Sequence, residues 1–149
     1  MFDSLLVVCR ANICRSPVAA AMLRQRLPDH RIQSAGVAAL VGHGVEPTAR
    51  QLGEADGLDL SLHHARQLDA TLLGEADLVL VMSESQRGEI GSRWPAALGK
   101  TMRLGHWLED GRGQDIPDPY RKSREAYVHV HRLLATAVDE WQRRLAQVH

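Results

Sequence analysis

Leu5-Leu6-Val7-Val8-Cys9-Arg10-Ala11-Asn12-Ile13-Cys14-Arg15-Ser16-Pro17 is the stretch that decides the fold. Its apolar run, 5–8, predicts a short buried strand. A compact loop follows at once, opening at Cys9 and ending at Arg15-Ser16. Pro17 then opens an alanine- and leucine-rich segment, 18–27, whose composition predicts a helix. Proline suits the first turn of a helix, which has no use for the N–H that proline lacks. A loop pinned between a strand's carboxyl end and a helix's amino end favours anions. Its free N–H groups and the positive end of the helix dipole point the same way.

The side chains on this loop carry chemistry. Cys9 sits at its mouth, and amide dipoles with an adjacent guanidinium favour a thiolate, the nucleophilic form of cysteine. Arg15 offers a planar fork of donors that clasps two oxygens of a phosphate. Ser16 can donate its hydroxyl to the sulfur and steady it as nucleophile or leaving group. The bland alternative is a buried cysteine ending a strand beside an exposed arginine.

Composition narrows the field. At 149 residues one domain, 1–149, is expected, with a sizeable core. Lysine plus arginine equals aspartate plus glutamate, 18 each, which argues against a nucleic-acid binder relying on a broad basic field. The two cysteines, Cys9 and Cys14, make neither a secreted disulfide framework nor a four-ligand zinc site. The amino terminus has Asp3, a very short apolar run and no basic leader, so no signal peptide is expected. No stretch approaches the roughly 20 apolar residues that cross a bilayer. A cytoplasmic protein without membrane insertion is the expectation.

The remainder alternates strands with helices. Residues 31–36 predict a strand ending at a glycine turn, and 37–46 a loop. A helix is predicted from Pro47 to about Gly57, and 65–68 lead into a short one ending near Gly74. The run 76–82 is the clearest buried strand. Ser83 and Ser85 are candidate caps for a helix to about Trp94, which Pro95 interrupts. Residues 101–104 form a weaker strand, and 105–119 read as loop. From Tyr120 onward Val130, Leu133, Leu134, Ala137, Val138, Trp141 and Leu145 recur at helical spacing, predicting a long amphipathic helix. Four strands alternating with helices imply an α/β fold, a parallel sheet with helices on both faces.

A cysteine, five residues, an arginine and a serine is the pattern of the protein tyrosine phosphatases. With the cysteine this near the amino terminus, the chain resembles their low-molecular-weight class. A second motif agrees: in that class an Asp-Pro dipeptide followed by an aromatic carries the general acid, and Asp118-Pro119-Tyr120 matches it. Asp115 is a rival acid, but no proline follows it. The resemblance implies a sheet of order 2-1-3-4, with Cys9 ending the strand at the point where the order reverses and ligands bind.

It also implies a mechanism and a site. Cys9 attacks phosphorus, Arg15 and the amides of Arg10, Ala11, Asn12, Ile13, Cys14 and Ser16 hold the oxygens, and Asp118 protonates the leaving tyrosyl oxygen. Phosphate or a similar oxyanion binds the loop, and neither metal nor cofactor is required. Asn12 should take an unusual backbone angle, held by Ser34 of Ser34-Ala35-Gly36 and by His63; each of those two has an ordinary structural reading beside this one. His129 and His131 read as surface positions. Ala11 stands where the family usually has glycine. Leu40 and Tyr120 would wall the site, with Arg10 on its rim. Segments 105–107 and 120–125 resemble the bacterial subgroup associated with exopolysaccharide or capsule export, whose members act on autophosphorylated tyrosine kinases. Cys14 either packs as a small apolar residue or traps oxidised Cys9 as a disulfide. The rivals are arsenate reductase on the same fold, whose thiol relay needs cysteines outside the loop, a non-catalytic phosphotyrosine-binding module and a redox switch on Cys9 and Cys14.

Overall fold

The computed structural model describes residues 2–146. Four strands, β1 (Ser4–Cys9), β2 (Arg31–Gly36), β3 (Leu78–Val81) and β4 (Thr101–Arg103), form one parallel sheet of order β2-β1-β3-β4. Five α-helices accompany them: α1 (Arg15–Arg26), α2 (Pro47–Ala55), α3 (Ala70–Glu75), α4 (Glu84–Arg93) and α5 (Arg124–Ala146). β1 is central, pairing Leu5 with Ile32 of β2 on one side and with Leu78 of β3 on the other. The chain leaves β1 for one neighbour and returns to the other, so the crevice opens beyond Cys9.

Both faces of the sheet are covered, which explains the continuous apolar runs of β1 and β3. Leu5, Val7 and Cys9 face a cluster completed by α1 and α5, with Leu23, Leu134, Val138 and Trp141. Leu6 and Val8 face the opposite way, against Leu72, Leu73, Ile90 and Ala97. Among the described residues no helix is long and apolar enough to cross a membrane.

Several boundaries move for identifiable reasons. α1 begins at Arg15, two residues before Pro17, because the N–H groups of a first helical turn lack intrahelical acceptors and a proline costs nothing there. α2 stops at Ala55, and Gly57 turns the chain at φ +81°. Glu46, expected in a loop, caps α2 by accepting from the amides of Thr48 and Ala49. Residues 65–68 are not the lead-in to a helix. Gly36 pairs with Gln67, and Leu68 donates to Gly36 O at 2.9 Å, so this stretch runs alongside β2 and only Asp69 caps α3. Pro95 opens a 3-10 stretch, Pro95–Lys100, and another, Leu104–Trp107, lies in the segment expected to be loop.

α5 starts at Arg124, after a turn in which Arg121 has φ +62°. Its buried stripe matches the predicted one, except that Tyr127 joins it and Leu133 is half-buried. Trp141 Nε1 donates to the buried Leu104 carbonyl at 2.7 Å, tying α5 to the turn that starts the Asp118 segment. Trp141→Phe leaves that carbonyl unpaired, and urea unfolding should report a loss of about 1–3 kcal/mol.

Candidate active site

The loop after β1 is held from behind. The carbonyls of Cys9, Arg10 and Ala11 accept from the amides of Val37, Ala38 and Leu40, at 3.0, 2.8 and 3.1 Å. Asn12 O accepts from His63 Nε2 at 2.7 Å, and Ile13 O from the Glu46 amide at 2.8 Å. A trans peptide points its N–H opposite to its C=O. Five successive outward carbonyls therefore turn the N–H groups of Arg10 through Cys14 inward, where the amino end of α1 adds its own.

Asn12 makes this curvature possible. It is fully buried with φ +60°, a left-handed conformation that asparagine tolerates better than most residues. Its Nδ2 donates to Ser16 Oγ at 2.7 Å and Ser34 Oγ at 3.0 Å, and its Oδ1 accepts from the Arg66 amide at 3.0 Å. Ser16 Oγ, already an acceptor from Asn12, has its proton to give to Cys9 Sγ, 2.9 Å away. Ala11 is not among the residues with positive φ, so the missing glycine costs no strain.

Gly36 closes the back of the loop. A Cβ there would lie 2.6 Å from Arg10 O and 3.0 Å from Asn12 N, so no side chain fits between β2 and the loop.

Arg15 is buried at 5% exposure. Nη1 donates to Ile116 O at 2.7 Å, which fixes the guanidinium plane, and Nε finds no acceptor among the described residues. Nη2 lies 3.6 Å from Asp118 Oδ2. Asp118 is partly open to solvent and its Oδ1 accepts from the Tyr120 amide at 3.1 Å. Asp115 is engaged elsewhere, accepting from Arg103 Nη1 and the Glu84 amide.

A cleft of about 290 Å³ unites these groups. Cys9, Arg15 and Asp118 line it with Arg10, Ala11, Ile13, Cys14, Leu40 and Tyr120. Asn12, Ser16, Ser34 and His63 stand behind the loop. Ala38 and Arg121 also line the cleft, the latter with its guanidinium 5.3 Å from the Tyr120 ring centre. His129 is exposed, whereas His131 is half-buried and pairs with Asp56.

Cys14 has a different environment from Cys9. Burial, then the charges of Cys9, Glu46 and Asp118, push its thiol up to about 12 against a hydrogen bond from Tyr127. Burial, then Cys14 and Glu46, hold the Tyr127 hydroxyl well above the usual phenol range.

The family model for low molecular weight phosphotyrosine protein phosphatase matches residues 4–149. The chain belongs to that family. A protein-tyrosine-phosphatase from Acinetobacter johnsonii, Ptp, is 42% identical over 144 residues, covering 97% of this chain and 99% of Ptp. The tyrosine phosphatase Wzb from Escherichia coli K30, solved with sulphate, superposes with TM-score 0.93 at 45% identity, covering 97% and 99% of the two chains. The YwlE arginine phosphatase from Geobacillus stearothermophilus has the same fold, with TM-score 0.90 at 32% identity over 97% and 93%. This phosphatase is thus an enzyme of the protein-tyrosine-phosphatase type.

Two outcomes follow for the phosphatase. Gly36→Ala should push the loop off its support, costing about 1–3 kcal/mol by overpacking and about 100-fold in aryl phosphate turnover through misplacement. Unfolding and kinetics of the variant check both. Burial foremost, then the charges of Arg24, His64 and Arg66, lower the His63 pKa against its bond to Asn12 O. Folding thus favours the neutral ring. Stability from this group is present above about pH 6.5 and is lost as pH falls through the depressed folded-state value. Urea unfolding at about pH 7.5 and 5.5 should show a smaller acid loss for His63→Gln than for the parent.

Proposed function

We propose that the chain hydrolyses phosphotyrosine through a phosphocysteine intermediate by two in-line displacements. The Cys9 thiolate attacks phosphorus while the inward amides and Arg15, through Nε and Nη2, hold the equatorial oxygens. The bond to the tyrosyl oxygen breaks as Asp118 gives that oxygen its proton. Asp118, now a carboxylate, takes a proton from water as the water attacks the phosphocysteine. Inorganic phosphate leaves, and the sulfur departs as a thiolate helped by the Ser16 hydroxyl. Preorganised donors around the developing charge supply most of the acceleration.

The observation that carries this reading is the sulfur itself. Cys9 Sγ lies 2.9 Å from Ser16 Oγ, at the start of a loop whose carbonyls all face away from the cleft. A phosphotyrosine-binding module needs neither nucleophile nor acid, and a thiol-relay arsenate reductase needs cysteines outside the loop, which the sequence lacks. The cleft also favours tyrosine over arginine as the phosphorylated side chain. Arg10, Arg15 and Arg121 stand there against a single carboxylate, with the Tyr120 ring and Leu40 as apolar walls. A guanidinium leaving group would meet repulsion where an aryl ring meets a wall. The likeness of segments 105–107 and 120–125 to the exopolysaccharide-associated subgroup supports a physiological substrate among autophosphorylated bacterial tyrosine kinases linked to exopolysaccharide production or export. Two free thiols suit action in the cytoplasm.

Aryl phosphates of graded leaving-group pKa test the roles. Cys9→Ser should show no turnover. Asp118→Ala should lose about 10²–10⁴-fold with poor leaving groups and far less with good ones. An equal loss for all leaving groups removes Asp118 from the acid role. Preference for a phosphoarginine over a phosphotyrosine peptide would overturn the substrate assignment.

A further inference from the structure

Behind the loop, on the side away from the cleft, lies a cavity of about 400 Å³, a size that takes a small ligand. Arg24 and Arg66 line it together with His63 and His64. Both arginines are anchored to the edge strand β2. Arg24 Nε and Nη2 donate to Ile32 O at 3.1 and 2.8 Å, and Arg66 Nε donates to Ser34 O at 3.0 Å. Those two carbonyls are two residues apart on one strand, so the guanidiniums are held at anchor points about 6.6 Å apart. Covering edge carbonyls uses only part of each fork. Arg24 Nη1 and both Arg66 Nη groups keep donors for another acceptor.

Among the described residues neither arginine forms an ion pair with an acidic side chain. Asp59, the one acid lining the cavity, accepts from the amide and hydroxyl of Ser61 at 3.1 and 2.7 Å. Burial, then the charge of Arg66, lowers the Arg24 pKa, which places the two cations near each other. Leu62, 83% exposed, and Leu60 give the cavity an apolar side.

We infer that this cavity is a second anion site, binding the phosphoryl group of a small ligand between Arg24 and Arg66, apart from the catalytic cleft. Two rigidly anchored forks that share one oxyanion relieve their mutual repulsion and complete their hydrogen bonds. Leu60 and Leu62 face whatever body the phosphoryl group carries. Inorganic phosphate and a small phosphate monoester present the same group, and differ in whether that apolar side is used. The site touches the catalytic loop through the 63–66 segment, since His63 Nε2 and the Arg66 amide both bond Asn12.

Titration of the full chain with inorganic phosphate at constant ionic strength, followed by amide and imidazole NMR shifts, tests this without any turnover. Two isotherms are expected, one reported by the amides of 10–16 and the other by those of 59–66 and the His64 ring. Arg24→Gln, which leaves both contacts to Asn12 intact, should weaken the second isotherm about tenfold or more and spare the first; adding Arg66→Gln should abolish it. A single isotherm shared by both sets of signals overturns the inference. So does a second isotherm that survives in Arg24→Gln, or one that chloride reproduces. Glycerol phosphate saturating the second set below the concentration of free phosphate assigns a monoester; the opposite order assigns phosphate itself. The first isotherm stands or falls with the catalytic loop, so failure of the second leaves the phosphatase reading untouched.

Discussion

The site depends on one constraint, the outward direction of the loop carbonyls. An eight-residue turn left to itself would satisfy its amides internally or with water. Here the acceptors are claimed from behind, by Val37, Ala38, Leu40, Glu46 and His63, and the amides have only the cleft to face. The inward turn of the amides is therefore a property of the 34–46 and 63–66 segments as much as of the loop. Asn12 is where the two sets of contacts cross. Its left-handed backbone costs about 1 kcal/mol or more on its own, and four hydrogen bonds to Ser16, Ser34, His63 and Arg66 outweigh it.

The charged groups follow from the same arrangement. Burying a guanidinium is tolerable only when its donors are met. Ile116 O meets one of them and fixes the plane of Arg15, so its remaining edge faces the cleft. Asp118 sits 3.6 Å away, too far for a hydrogen bond and near enough for attraction, and remains partly in water. Asp115, three residues earlier, is bound up in the Arg103 pair at the surface, which separates two carboxylates that look alike in the sequence.

Much of this was legible beforehand because the informative residues are close in sequence. A strand, a Cys9-to-Ser16 loop and a helix start are local signals, and β2 appears where a strand was expected. What could not be read depends on distant partners. Residues 65–68 have no propensity that forbids a helix; they are extended because Gly36 offers a free strand edge and Asn12 needs the Arg66 amide. The order 2-1-3-4 rested on resemblance, since strand spacing alone permits other orders. The Gly36 contact was invisible for a plain reason: a turn glycine and a glycine excluded by a neighbouring backbone look the same in one dimension. Tyr127 was missed because it lies one turn before the apolar stripe began to be counted, and only the fold shows its hydroxyl against Cys14 and Glu46.

That last cluster explains why two cysteines five residues apart differ in character. Cys9 stands at the end of a strand, in a cup of inward N–H groups beside a hydroxyl. Cys14 immediately precedes α1, yet its sulfur turns into the packing between α1, α2 and α5, where Glu46 already occupies the amides of α2. Negative charge arriving there would meet Glu46 and Asp118 without water to screen it. The loop therefore has one sulfur facing donors and one facing acceptors. A single turn of backbone separates two thiols in opposite settings. The difference comes from which way each side chain leaves the loop, and so again from the segment that holds the loop from behind.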